Sequence, residues 1–277
     1  MHESERDQTV RLIARDGDPD RALAALFAPR GGRAGLLALI AFNVELARIA
    51  EQVSEPGLGA IRLQWWREAV ARAASGETTG HPVADALGAA IRRHELSRDR
   101  LAAMIDARSF DIATKVMPDQ PALETYLQDT AGALFALSAA CLGARGPAVE
   151  LAAAQAGLAY GLTGLMRSLP MHAALGRVDL PADALRRHGT SPDDVLAGKS
   201  GEDLAAMLGQ CRSAAAAALR EAQSHVRALD AEARAAFLPL ALVEPYLAEL
   251  GRERDPLRKV AAIGPLYRLW RLTRWRA

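Results

Sequence analysis

Apolar residues recur three or four positions apart through nearly all of this 277-residue chain, and no stretch shows the strict alternation that a half-buried strand requires. Alanine-rich runs such as Ser213 to Ala218 add intrinsic helix preference to that pattern. The periodicity predicts an all-α protein. Breaks are marked by Asp18-Pro19, Pro29 to Gly32, Glu55-Pro56-Gly57, Ser75-Gly76, Pro118 to Pro121, Gly143 to Pro147, Pro181, Gly189 to Pro192, Gly198 to Gly201 and Asp255-Pro256. They divide the chain into about ten helices, with short ones between Pro181 and Gly198. No Gly/Pro/Ser-rich linker and no internal repeat separates two halves, so residues 1–277 are expected to form one large helical domain. The polar segment 1–17 is read as a flexible lead-in and residues 256–277 as a basic C-terminal helix.

Charge narrows the function. The net charge of +1 argues against a surface built for nucleic acid, which needs a concentrated basic face. Residues 251–277 nevertheless hold eight Arg/Lys against Glu253 and Asp255, so that tail is +6 and the remainder −5. In IGPLYRLWRLTRWRA, residues 263–277, Ile263, Leu266, Tyr267 and Trp270 share one helical stripe. Such a stripe either closes the core while arginines face water, or lies on an anionic membrane surface. No run reaches the roughly 18 apolar residues that span a bilayer, so membrane contact would be peripheral. The N-terminus lacks the basic-then-apolar order of a secretory signal, and Cys141 and Cys211 sit in helical stretches that suit buried thiols; both features suggest a cytoplasmic protein, with peripheral contact at the inner face of the membrane.

Residues 161–181, GLTGLMRSLPMHAALGRVDLP, resemble the second signature of the squalene/phytoene synthase family, in which a helix reading roughly QLTNxxRDxxxD runs into GRxYLP. Leu162, Thr163, Arg167, Gly176, Arg177, Leu180 and Pro181 fit that frame. Residues 40–68 stand where the family has its first aspartate-rich helix, MIDARSFD at 104–111 resembles a short motif, and YLQDTAG at 126–132 resembles its YCxYVAG segment. The resemblance implies an isoprenoid-synthase helical bundle around a central cavity. It also implies two facing helices with aspartates at i and i+4, whose carboxylates hold Mg²⁺ against the diphosphates of two prenyl substrates.

Those acids are mostly missing. The first pair aligns with Ala47 and Glu51, with Arg48 between them, and the second with Ser168 and His172; Gly164 replaces an asparagine, and Asp129 replaces an aromatic residue. Alanine binds no metal, a serine hydroxyl is a poor Mg²⁺ ligand and histidine suits softer ions, so Glu51 is the single weak metal candidate, alone or with His172. Losing about 4 kcal/mol of metal stabilisation would slow the reaction roughly a thousandfold. Pro170 also sits inside the motif helix, where it removes a backbone hydrogen bond and should kink the helix near Met166.

Arg48, Arg167 and Arg177 are candidate diphosphate contacts, since guanidinium forks match phosphate oxygens; the alternative is that they pair with acids across the interior. Asn43 and Gly164 head two columns, with Ala47 and Glu51 and with Ser168 and His172, that would line a remnant cavity. Trp65 and Trp66 are read as core or interface aromatics, and His2, His81, His94, His188 and His225 as surface residues. FNVELA, EPGLGAIRLQWWRE and RSLPMH are most similar to the branch of the family formed by mitochondrial complex I assembly factors and their bacterial relatives. That resemblance implies a largely non-catalytic protein, with no cofactor, acting in respiratory NADH dehydrogenase assembly at the membrane beside a subunit or assembly protein. The rivals are a Mg²⁺-dependent prenyl transferase and an isoprenoid or lipid carrier.

Overall fold

Proline and small polar residues start most of the helices. In the computed structural model, which describes residues 3–53 and 55–275, these are α1 (Glu3–Gly17), α2 (Pro19–Ala25), α3 (Arg30–Gln52), α4 (Pro56–Ala74), α5 (Pro82–His94) and α6 (Arg98–Ala113). They continue with α7 (Gln120–Leu127), a π-helical turn (Gln128–Gly132), α8 (Ala133–Cys141), α9 (Pro147–Ala174), α10 (Ala182–Arg187), α11 (Pro192–Leu196) and α12 (Glu202–Arg227). The chain closes with α13 (Ala231–Arg234), a 3₁₀ segment (Ala235–Leu242), α14 (Val243–Arg252) and α15 (Pro265–Arg274). Asp18, Ser97, Asp119 and Ser191 each accept a hydrogen bond from a backbone N–H in the first turn of the following helix, satisfying one of its orphan donors.

Helix α9 runs through the middle of the bundle, packed along α12 and against α8 and the π turn; α3 packs on α1, α5 and α8. Phe42, Phe135, Phe237 and Tyr246 are the largest fully buried side chains, and the rings of Phe135 and Phe237 stack at 5.7 Å between centroids. A Cβ on Gly157 would stand 2.5 Å from the Gly132 backbone, so α9 can cross the π turn this closely only without a side chain there. Helix α9 continues through Pro170 to Ala174.

Three expectations need correction. Residues 3–17 are not a loose lead-in: they form α1, which buries Val10 and Ala14 against α3 and α5. The basic tail is helical only over Pro265–Arg274, and residues 256–264 carry no helix. Nor does the predicted stripe close the core. Ile263 is buried before the helix begins and Leu272 anchors it, whereas Leu266 is 83% exposed and Tyr267, Leu269 and Trp270 also face out. Arg268 and Arg271 turn inward instead, Arg268 to the buried Asp20 (2.9 Å) and Arg271 to the Ala241 carbonyl (3.1 Å) and Glu244 (2.8 Å). A buried carboxylate needs a cation more than the helix needs to hide its aromatic rings. Among the described residues, no helix is long and apolar enough to cross a membrane.

Candidate functional site

The loop that follows α9 shapes the site. Gly176 takes a left-handed conformation (φ 74°) just past the helix, and the N–H of Arg177 returns to the carbonyl of His172 (2.8 Å), a helix ending that favours glycine. The next residue, Val178, forms an isolated parallel bridge with Val116, its N–H bonding the Lys115 carbonyl (2.8 Å) and its carbonyl accepting from Met117 (2.9 Å). That bridge ties the end of α9 to the end of α6. Val178 and Leu180 therefore enter the core, while on the opposite side of the extended segment Arg177 meets both Asp179 and Asp111 of α6.

From there a polar network crosses between the two motif helices. The Arg177 Nη2 donates to Asp111 Oδ1 and to Asp179 Oδ1, each at 3.0 Å. Asp111 also pairs with Arg108 (3.0 Å) and accepts from the Tyr126 hydroxyl (3.0 and 3.1 Å). Arg108 donates to the Tyr126 oxygen (2.7 Å) and to Asn43 Oδ1 on α3 (3.2 Å). At the other end, His172 Nδ1 on α9 closes on Asp179 Oδ2. The column headed by Asn43 and the column ending at His172 are thus joined by side chains of the protein itself.

Two aspartates face two arginines, and the acidities follow. Asp179 lies below the ordinary carboxylate range: burial alone would raise it, but the His172 ring and the Arg177 guanidinium outweigh burial. Burial opposes the charge on Arg108 and on Arg177 as well, yet their acid and phenol neighbours hold both above the ordinary value. Burial drives the Tyr126 phenol up, so it stays protonated and can donate to Asp111.

The other expected site residues are placed differently. Ala47 and Ser168 are half-buried, Glu51 is exposed on the last turn of α3, and Arg48 is half-buried with no acid partner among the described residues. Gly164 faces open space, with no atom within 4 Å of where a Cβ would stand. Asp129 is partly exposed, its carboxyl raised by burial. Arg167 pairs with Asp20 at 3.5 Å, donates to the Ala261 carbonyl (3.3 Å) and lies 3.6 Å above the Tyr246 ring. Arg167 and Arg177 therefore take the alternative use, pairing with interior acids.

These donors do not fit the metal pair. Ala47 offers no ligand, the His172 Nδ1 is held by Asp179, and Asp111 and Asp179 are already matched by arginines. Among the described residues no group of three His, Cys, Asp or Glu side chains could hold a metal ion. A Glu51–His172 site is not formed either, since His172 turns to Asp179.

Of the histidines read as surface residues, His81, His94, His188 and His225 are half-buried and His2 lies outside the described residues; His81 is the most engaged. It caps α5 and sits 5.2 Å from both indole rings of Trp65 and Trp66, and burial lowers its pKa. Trp66 is buried edge-on against Phe42, and Trp65 is 40% exposed. Sequence reasoning passed over Asp20, Arg108, Asp111 and Asp179. The available signal was an acid between the buried Val178 and Leu180 in GRVDLP and a second acid closing MIDARSFD between the half-buried Phe110 and Ile112.

The family pattern described as Squalene/phytoene synthase matches residues 14–276. The chain belongs to that family. Within it, the NADH dehydrogenase (ubiquinone) complex I assembly factor 6 of Bos taurus is 33% identical over 244 residues, covering 88% of this chain and 73% of its own. A dehydrosqualene synthase superposes with a TM-score of 0.84 at 18% identity, over 97% of this chain and 94% of its own. The squalene synthase of Alicyclobacillus acidocaldarius gives 0.80 at 20% identity, over 92% and 95%. The isoprenoid-synthase fold is therefore present.

Proposed function

We propose that this chain acts in the assembly of a respiratory NADH dehydrogenase and does not run the head-to-head condensation of prenyl diphosphates. One observation carries the reading: the network from Asn43 through Arg108, Asp111, Arg177 and Asp179 to His172 spans the space where synthase chemistry would need acids free to take metal. An incoming diphosphate would have to part arginines from buried aspartates, which is costly in a low-dielectric interior. Similarity to the assembly factors over most of the chain supports the same choice. Peripheral contact with the inner face of the membrane belongs to the reading. It is supported by the outward Leu266, Tyr267, Leu269 and Trp270 of α15, and by Val260 exposed in the segment before that helix.

The test has two arms. Deleting the gene in its host should lower NADH dehydrogenase activity and leave incomplete complex on native gels, with the wild-type chain restoring both; intact complex in the deletion strain would sink the assembly role. Purified protein incubated with farnesyl diphosphate and Mg²⁺ should give no condensed hydrocarbon, and appearance of one would restore the synthase. Binding of the diphosphate without product would point to a carrier using the open space beside Gly164.

A further inference from the structure

A concavity lies along the N-terminal half of α3, away from the motif column that begins at Asn43. Between α1, the start of α3 and the end of α5 is a groove of about 470 Å³. Arg30, on its edge, is 13 residues along α3 from Asn43, about 20 Å at the helical rise. The floor is apolar, formed by Val10, Leu37, Ala86 and Ala90. Five arginines line it, Arg6, Arg11, Arg30, Arg33 and Arg93, together with His94.

Cations exceed acids here. Asp7 is the single acid among the described lining residues, and Arg6 lies 3.3 Å from it. Arg33 is fixed by the carbonyls of Leu26 (2.7 Å) and Ala28 (3.1 Å), and Arg11 by the carbonyl of Asp7 (3.3 Å). Arg30 and Arg93 are exposed and paired with no acid among the described residues. The local field agrees: His94 is held below its usual pKa by burial and then by Arg93 and Arg145.

We propose that this groove binds a phosphate group carrying an apolar chain. Guanidinium forks match phosphate oxygens in pairs, and several of them converging favour a group with more than one negative charge. The cavity is of the size that takes a small ligand, and its floor offers the chain a surface that water covers poorly. The proposal does not depend on the assembly role.

Calorimetric titration of the full-length protein with dihexanoyl phosphatidic acid, below its aggregation threshold, tests it, alongside inorganic phosphate and dihexanoyl phosphatidylcholine. The acidic lipid should bind, the choline lipid should not, and R30E/R93E should weaken the acidic lipid about tenfold or more without moving the thermal midpoint. A86F, which fills the floor and keeps every arginine, should weaken the lipid and leave inorganic phosphate unchanged. If phosphate alone binds as tightly as the lipid and A86F changes neither, the site takes a free anion and the claim of a chain is overturned. No binding of the acidic lipid, equal binding of the choline lipid, or unchanged affinity in R30E/R93E overturns the whole proposal.

Discussion

Around Asp111 two aspartates face two arginines, whereas around Asp20 one aspartate serves Arg167, Arg268 and the hydroxyl of Tyr246. The first cluster is electrically closed and lies where the two motif helices approach each other. The second carries an extra cation, which it accommodates with the Tyr246 ring under Arg167 and the Ala261 carbonyl beside it. The contrast teaches that a motif arginine does not announce its use. Arg167 and Arg177 both fit the family frame, yet Arg177 belongs to the cluster that links α6 to the loop after α9, and Arg167 to one that fastens the C-terminal segment.

The sharpest way to break the comparison is D111A. It strands Arg108 and Arg177 in the interior, and urea unfolding should show a loss of about 3–5 kcal/mol. A loss under 1 kcal/mol would mean the cluster is wet and open, and the argument against a diphosphate there would fail.

At the other cluster, L272A should cost about 2–4 kcal/mol because the side chain is buried, while L266A on the same helix should stay within about 0.5 kcal/mol. A larger loss for L266A than for L272A would show that α15 is turned the other way. R268A should be intermediate, about 1–3 kcal/mol, since Asp20 keeps Arg167 and Tyr246.

The smallest effect is in pH. Because the folded-state pKa of Asp179 is depressed, its contribution is complete above the ordinary carboxylate value near 4 and is lost as pH falls through the lower folded value. Thermal midpoints of the wild type and D179N should therefore differ at pH 7 and converge below about pH 4. A constant difference across that range would remove Asp179 from the ionic balance.

Much of the bundle was legible because its breaks use proline and glycine. The α5–α6 boundary was not: Glu95 reverses the chain in a left-handed conformation and Ser97 caps α6, with neither a proline nor a glycine to mark the place. The π turn at Gln128–Gly132 was hidden for a related reason, since its residues keep an apolar helical spacing and only the close approach of Gly157 sets it apart. For the site, the absence of three carboxylates was plain at Ala47, Ser168 and His172. What replaced them was not, because Asp111 and Asp179 are 68 residues apart and come together only through the bridge between Val116 and Val178.

The contact between His172 and Asp179 bears on what an acidic motif would require here. Restoring aspartate at 168 and 172 would recreate the lost signature on paper, but position 172 would then set a carboxylate against the one at 179. Two like charges at that separation cannot both ionise freely, and one would keep its proton rather than bind a cation. A carboxylate pair at 168 and 172 would thus require a change at position 179 as well.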